Sequence, residues 1–446
     1  MKLIRRRNLL GAAALLAVGS AVAIWLVRGP GPLAFAGGEV ALEDYKSGDP
    51  SGVPASLSDA SLVVRGKYLA DAADCVACHT SQGGKSYAGG LAIKLPFGVL
   101  YSTNITPDME TGIGNYSDRD FIDAVQRGIR HDRARLYPAM PFTSYTYMTD
   151  RDVLAVKAFL FSLPPVRAAP RHNSLLFPFD QRWAMALWSR LFARDDRFQP
   201  NATRDLEWNR GAYLAEALAH CGECHTPRNL AMALNNRQKF GGAVTAGWRA
   251  FNITSDKNAG IGAWRDEDIV SYLSTGSGSA HGTASGPMGE AVDHSFSKLA
   301  PEDIRALVAF LRSVPPITSP GVPAASAAPD SHKAGAIGSD HSGKKIFEGA
   351  CVSCHGWSGI SPVSPFATLT GSGAVNDPSA TNVAQIVIFG TKRLTPNRVL
   401  SMPAFGSIYS DGEIAAVVNY TTARFGNKAA NVTSGDINRL RQQASE

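Results

Sequence analysis

The sequence predicts an all-α chain of three serial domains, and three observations carry that reading. First, all six cysteines fall in three copies of one pattern: Cys75-Val76-Ala77-Cys78-His79, Cys221-Gly222-Glu223-Cys224-His225 and Cys351-Val352-Ser353-Cys354-His355. The copies stand 146 and 130 residues apart, a period that suits whole domains rather than the units of a solenoid. Second, the first two copies share their surroundings. Arg65-Gly66-Lys67-Tyr68-Leu69 precedes one and Arg210-Gly211-Ala212-Tyr213-Leu214 the other, while Asn104-Ile105-Thr106 with Gly112-Ile113-Gly114 is matched by Asn252-Ile253-Thr254 with Gly260-Ile261-Gly262. Third, each copy is followed by an amphipathic helical pattern with a Pro or Gly stop, over residues 150–163, 301–314 and 411–425.

Taken in order, residues 1–36 read as a signal peptide or an N-terminal membrane anchor. Arg5-Arg6-Arg7 is followed by an uncharged apolar run of 19 residues, 9–27, long for a signal and just long enough to span a bilayer. Ala34-Phe35-Ala36 offers a small-residue cleavage site, and both readings send the remainder out of the cytoplasm. Arg6-Arg7-Asn8-Leu9-Leu10 resembles a twin-arginine signal, but that route carries cargo already folded. The formal charge of +6 is concentrated here: without Lys2, Arg5, Arg6, Arg7 and Arg28 the balance is 39 basic groups against 38 acidic ones. No nucleic-acid partner is expected.

The first domain is placed at 60–165. Thr149 and Asp152 have the form of a capping box for its closing helix, and Pro164-Pro165 stops it. A connector, 166–204, holds Trp183, Met185, Leu187, Trp188, Leu191 and Phe192 in a short stretch, so it is expected to pack against the flanking domains or a partner subunit, with a membrane-surface foot as the lesser alternative. The second domain follows at 205–316, with Pro301 at the head of its closing helix. Residues 317–342 are rich in Pro, Ala, Ser and Gly and form a flexible linker. The third domain is placed at 343–430, with Ser410 and Glu413 capping its last helix. Phe159, Phe310 and Tyr420 sit at similar points on the closing helices. Gly66 and Gly211 on the opening helices are expected to let the closing helices approach closely.

Cys-x-x-Cys-His has a definite chemical meaning. Two thiols one helical turn apart add to the two vinyl groups on one edge of a haem, and the next residue turns its imidazole back to the iron. A zinc ribbon would bring two cysteine pairs together across a short loop, which pairs more than a hundred residues apart do not suggest. The sixth ligand decides whether an iron is a closed electron carrier or an open catalytic site. Met140 lies 36 residues after Asn104 and Met288 lies 36 after Asn252, whereas the rival Met148 aligns with Phe296. Met402, in Met402-Pro403-Ala404-Phe405, is the third candidate. His131, His172, His281 and His294 recur at no matching spacing and read as surface or hydrogen-bonding residues. Asn104, Asn252 and Arg228 are candidates for haem propionates, with turn chemistry an equal alternative for them.

These residues carry a resemblance. Arg-Gly-x-Tyr-Leu, the run from Cys221 to Asn229, the Asn-Ile-Thr loops, Gly286-Pro287-Met288 and Met402-Pro403-Ala404-Phe405-Gly406 resemble the three-haem cytochrome c subunit of bacterial membrane-bound dehydrogenases acting on alcohol, gluconate, sorbitol, fructose or aldehyde. The resemblance runs from about residue 60 to 440. It implies three serial cytochrome c-like domains and three covalently bound haem c groups. Cys75, Cys78, Cys221, Cys224, Cys351 and Cys354 would hold them, with His79, His225 and His355 as axial ligands. It further implies a catalytic dehydrogenase partner (a quinoprotein, flavoprotein or molybdoprotein), ubiquinone as acceptor, and a place on the periplasmic face of the cytoplasmic membrane. No catalytic residues of its own are expected. A free-standing multihaem shuttle and a peroxidase-type haem enzyme are the alternatives, the latter opposed by the three matched methionines.

Overall fold

Each closing helix begins where its cap residue stands. The Thr149 hydroxyl accepts from the Asp152 N–H at the head of Asp150–Phe161, Pro301 opens Pro301–Ser313, and Ser410 with Glu413 completes a capping box on Asp411–Phe425. The computed structural model describes residues 28–278, 281–318, 341–395, 398–427 and 429–443. The apolar run 9–27 and nearly all of the linker lie outside the described residues.

Three opening helices face these three closing helices. They are Leu62–Ala72, Leu206–Tyr213 continued by the wider turn Leu214–Leu218, and His341–Ile346 continued by Phe347–Cys351. Each pair crosses at a glycine. A Cβ on Gly66 would stand 1.8 Å from the Ala155 carbonyl oxygen, on Gly211 1.9 Å from that of Ala306, and on Gly343 2.2 Å from that of Ala416. Phe159, Phe310 and Tyr420, one helical turn past those alanines, press their Cβ atoms on the same glycines. The expected close approach is present at Gly66 and Gly211, and Gly343 repeats it.

The all-α expectation needs correction, because the mostly helical chain carries short antiparallel pairs. Ala92–Leu95 pairs with Gly98–Tyr101, to which Ser174–Leu175 adds; Ala243–Thr245 pairs with Trp248–Ala250, Ser277–Gly278 with Gly282–Thr283, and Thr391–Thr395 with Arg398–Met402. The second pair is closed by Ala246 and Gly247, both at positive φ (50° and 75°), the geometry of a two-residue hairpin turn.

One apolar core runs through the first two helix pairs, and a second surrounds the third. The first two pairs also exchange hydrogen bonds reciprocally. The Tyr68 hydroxyl donates to Asp303 on the other pair's closing helix, and Tyr213 donates to Asp152, both at 2.6 Å. The Arg210 guanidinium spans both Asp303 oxygens at 2.8 and 2.6 Å. The third pair meets the second through polar contacts: Asn382 exchanges two bonds with the Arg249 backbone, Gln385 donates to the Gly247 carbonyl, and Arg393 pairs with Asp293 at 2.8 Å.

The connector divides. Within its helix, Arg182–Phe192, Trp188 turns inward, edge-on to Phe142 at 6.4 Å with its Nε1–H donating to the Ala231 carbonyl. Trp183 and Leu187 are exposed, as are Leu176 and Phe177 before the helix. Packing against the flanking domains or a partner subunit is the expectation for this stretch; the helix has one inward stripe that meets the first domain through Trp188, and the remaining apolar residues fall on the opposite side.

Candidate functional site

The three motifs lie on single helical turns, Cys75–Cys78, Gly222–His225 and Val352–His355; the first two come after the bend that ends an opening helix, and the third follows directly on the wider turn that ends at Cys351. All six thiols are free of disulfides. Burial pushes Cys75, Cys78 and Cys221 up to about 12, and Cys224 and Cys351 up to about 11. A zinc ribbon would bring cysteine pairs together, and among the described residues no group of three His, Cys, Asp or Glu converges as a metal cluster.

The imidazoles repeat one geometry. His79 Nδ1 lies 2.7 Å from the Thr103 carbonyl oxygen, His225 Nδ1 2.6 Å from that of Phe251, and His355 Nδ1 2.6 Å from that of Ala367. A carbonyl oxygen only accepts, so the proton sits on Nδ1 and the Nε2 lone pair is left for a metal. Burial lowers all three imidazoles, which keeps them neutral. Two thiols one turn apart, beside a neutral imidazole with a directed lone pair, are the donor set that covalent haem requires.

The loops that supply those carbonyls are fixed by the asparagines. Asn104 Oδ1 accepts from the Thr106 N–H and hydroxyl at 2.9 and 2.8 Å, and Asn252 Oδ1 accepts from Thr254 at 2.8 and 2.7 Å. Their amides donate to the Val166 and Ile317 carbonyls. Turn chemistry thus accounts for both residues, and it sets the carbonyl immediately before each one against a histidine. Arg228 pairs with Glu223 of its own motif at 2.6 Å.

The candidate methionines occupy three different local structures. Met140 sits in a turn ahead of the short helix Phe142–Tyr145, Met288 is the third residue of the helix Gly286–His294, and Met402 ends a strand opposite Thr391. All three are half-buried, and Met140 and Met288 pack on the main core. Met148 is fully buried within that core.

Sequence spacing missed several residues at the seam between the first two motifs. Thr143 and Ser144, just after Met140, donate to Glu223 of the second motif at 2.9 and 3.2 Å. The Tyr145 hydroxyl donates to the Ala73 carbonyl at 2.8 Å, and its ring meets that of His220 edge-on at 5.6 Å. In the other direction, the charge of Glu290, beside Met288, reaches Cys78 of the first motif. Two histidines treated as unmatched do correspond. His131 packs on Tyr116 and His281 stacks on Trp264 at 3.6 Å, and those aromatics each lie 12 residues after the repeated asparagine.

Comparison with known proteins agrees with this donor set. Residues 63–164 match the family model "Cytochrome c", and residues 338–420 match "Cytochrome C oxidase, cbb3-type, subunit III". The chain is 39% identical over 411 residues to the fructose dehydrogenase cytochrome subunit of Gluconobacter japonicus, covering 87% of this chain and 84% of that one. It is 38% identical over 405 residues to the gluconate 2-dehydrogenase cytochrome c subunit of Pantoea cypripedii, covering 86% and 90%. It is 35% identical over 404 residues to the cytochrome c subunit of the quinone alcohol dehydrogenase of Gluconobacter oxydans, covering 86% and 83%. Thiol pairs one helical turn apart, lone-pair-directing histidines and near full-length similarity lead to one conclusion: this chain belongs to the family of cytochrome c electron-transfer subunits of membrane dehydrogenases.

Proposed function

We propose that the chain holds three haem c groups in three serial domains and conducts electrons from a catalytic dehydrogenase subunit to membrane ubiquinone on the periplasmic face. His79 with Met140, His225 with Met288 and His355 with Met402 would hold the three irons. When bound, haem iron supplies a one-electron ferric/ferrous couple, and the chain's own groups decide how that couple behaves. The carbonyls of Thr103, Phe251 and Ala367 hold each imidazole in one tautomer and one orientation. A methionine thioether as sixth ligand raises the potential and closes the iron to substrates. The observation that carries the reading is that all three motifs share the same Nδ1-to-carbonyl bond, so the third is built for the same ligand as the first two.

The alkaline pyridine haemochrome of the purified protein, set against protein concentration, tests the count. Three haems per chain are expected from the three motifs, falling to two in Cys351→Ser/Cys354→Ser. Met140→Ala, Met288→Ala and Met402→Ala are each expected to turn one iron high-spin and open to carbon monoxide. Three low-spin irons in all three variants would remove the methionines from the assignment. Purification from the native membrane is expected to recover a large dehydrogenase subunit, and a lone cytochrome would overturn the partner.

A further inference from the structure

The connector presents an apolar face that the electron-transfer sites do not use. Along Arg182–Phe192 the outward positions are Trp183, Ala186, Leu187 and Arg190, a helical stripe of three apolar residues ending in a cation. Trp183 is 70% and Leu187 57% exposed, and Leu176 and Phe177, just before the helix, are 66% and 80% exposed. This segment is held firmly. The Leu176 N–H donates to the Phe97 carbonyl, Phe179 stacks on Phe97 at 4.0 Å, and Tyr137 donates to the Phe179 carbonyl at 3.0 Å. Large apolar side chains displayed on a rigid base indicate a surface meant to be covered.

Two observations identify what covers it. From residue 164 to 196 the chain holds Asp180, Asp195 and Asp196 against Arg167, Arg171, Arg182, Arg190 and Arg194; Arg167 pairs with Glu110, and Arg190 is exposed at the end of the stripe. The described chain also begins on this helix: the Arg28 guanidinium donates to the carbonyls of Arg190 and Leu191, and Arg194 donates to the Gly29 carbonyl. Arg28, the residue that follows the uncharged apolar run 9–27 in the sequence, is thus held on the same helix that displays the apolar stripe.

We infer that Leu176, Phe177, Trp183 and Leu187 form a foot that lies in the interface of an anionic phospholipid bilayer, with Arg190 at the end of the stripe on its headgroups. Trp and Arg suit that depth, where one end of a side chain is apolar and the other wet. The foot fixes which side of the cytochrome faces the membrane, and it rests on the membrane-facing reading proposed above.

The test uses the haem-loaded full-length chain carrying one added cysteine, Leu187→Cys or, as an equally exposed control elsewhere, Leu62→Cys, labelled with a nitroxide. In vesicles of phosphatidylglycerol and phosphatidylethanolamine, the label at 187 is expected to gain oxygen collisions and lose collisions with a water-soluble nickel chelate, changing their ratio about tenfold relative to the control. Trp183→Ser in the same background should reduce that change. Equal water access at both positions would overturn the foot. So would protection at 187 that needs no lipid and appears with added dehydrogenase subunit or rising protein concentration, since a protein would then be the occupant. More than one label per chain reports an unfilled cysteine motif, a failure of the haem reading, and position 187 is then read as the difference from the chain without the added cysteine, labelled in the same way.

Discussion

Asp74, the residue before the first motif, is held at φ 50° with its Oδ1 buried and free of any hydrogen bond. Burial first, then the charge of Glu290 and that of Asp71, push its carboxyl up to about 8, against the lowering pull of Lys298. In the unfolded chain it returns to an ordinary aspartate value of about 3.9. Between roughly pH 4 and pH 8 the folded state therefore keeps a proton that the unfolded state has released, and stability falls as pH rises through that window. Asp74→Asn keeps the shape, suits the left-handed backbone and removes the titration. Urea unfolding compared at about pH 5 and about pH 8 should show a loss of a few kcal/mol in the native protein and a flatter response in the variant. An unchanged slope in Asp74→Asn would place the titrating group elsewhere. Asp74 was not legible in the sequence, because the groups that shift it come from another part of the chain. His79, His225 and His355 were legible because their chemistry is local to five residues. His131 and His281 lay between these cases: their aromatic partners keep one spacing while the histidines differ by two positions, so a fixed ruler passes over them.

The helix pairs show how far a repeat reaches as a guide to elements. Gly66 and Gly211 stand at the same place in two copies of Arg-Gly-x-Tyr-Leu, and that sufficed to expect a close crossing. Gly343 lacks the flanking pattern and was not singled out, yet it meets Ala416 in the same way. The short strands were missed for a different reason: segments of two to five residues carry too little alternation to register as strands, and the turns between them decide pairing. Propensity and packing give opposite signs at the glycines, which makes them a sharp test. Within a helix, alanine is better than glycine by up to about 1 kcal/mol. With a Cβ 1.8–2.2 Å from a backbone oxygen, Gly66→Ala, Gly211→Ala and Gly343→Ala must instead spread the crossing. Each is expected to destabilise by about 1–3 kcal/mol or more, read as a lower urea midpoint at constant slope. Stabilisation in any of the three would mean that the crossing there is looser than described.

The first two helix pairs act as one body, sharing a core and exchanging Tyr68–Asp303 and Tyr213–Asp152 bonds, and across their seam the segment behind each candidate methionine reaches the other motif. The duplication was visible in the sequence; this reciprocity was not, since it depends on which surfaces meet. The third pair joins differently, with its own core and a docking contact centred on Arg393. That residue lies on the hairpin that ends at Met402, and it clamps the helix that carries Met288. It pairs with Asp293 at 2.8 Å with both side chains under 8% exposed, donates to the Ala284 carbonyl at 3.0 Å, and its neighbour Leu394 donates its N–H to Asp293. Removing one member of a buried pair strands the other charge and costs about 3–5 kcal/mol, while replacing both with apolar groups is often neutral. Arg393→Met should therefore release the third unit from the second, seen as two separated calorimetric transitions and a larger radius of gyration in scattering. Arg393→Met with Asp293→Leu should restore a single transition. If the double variant separates as readily as the single one, the guanidinium acts through its bonds to the Thr275 and Ala284 carbonyls and not through the ion pair. If neither separates, the Asn382 and Gln385 bonds to the Arg249 and Gly247 backbone hold the third unit in place without it.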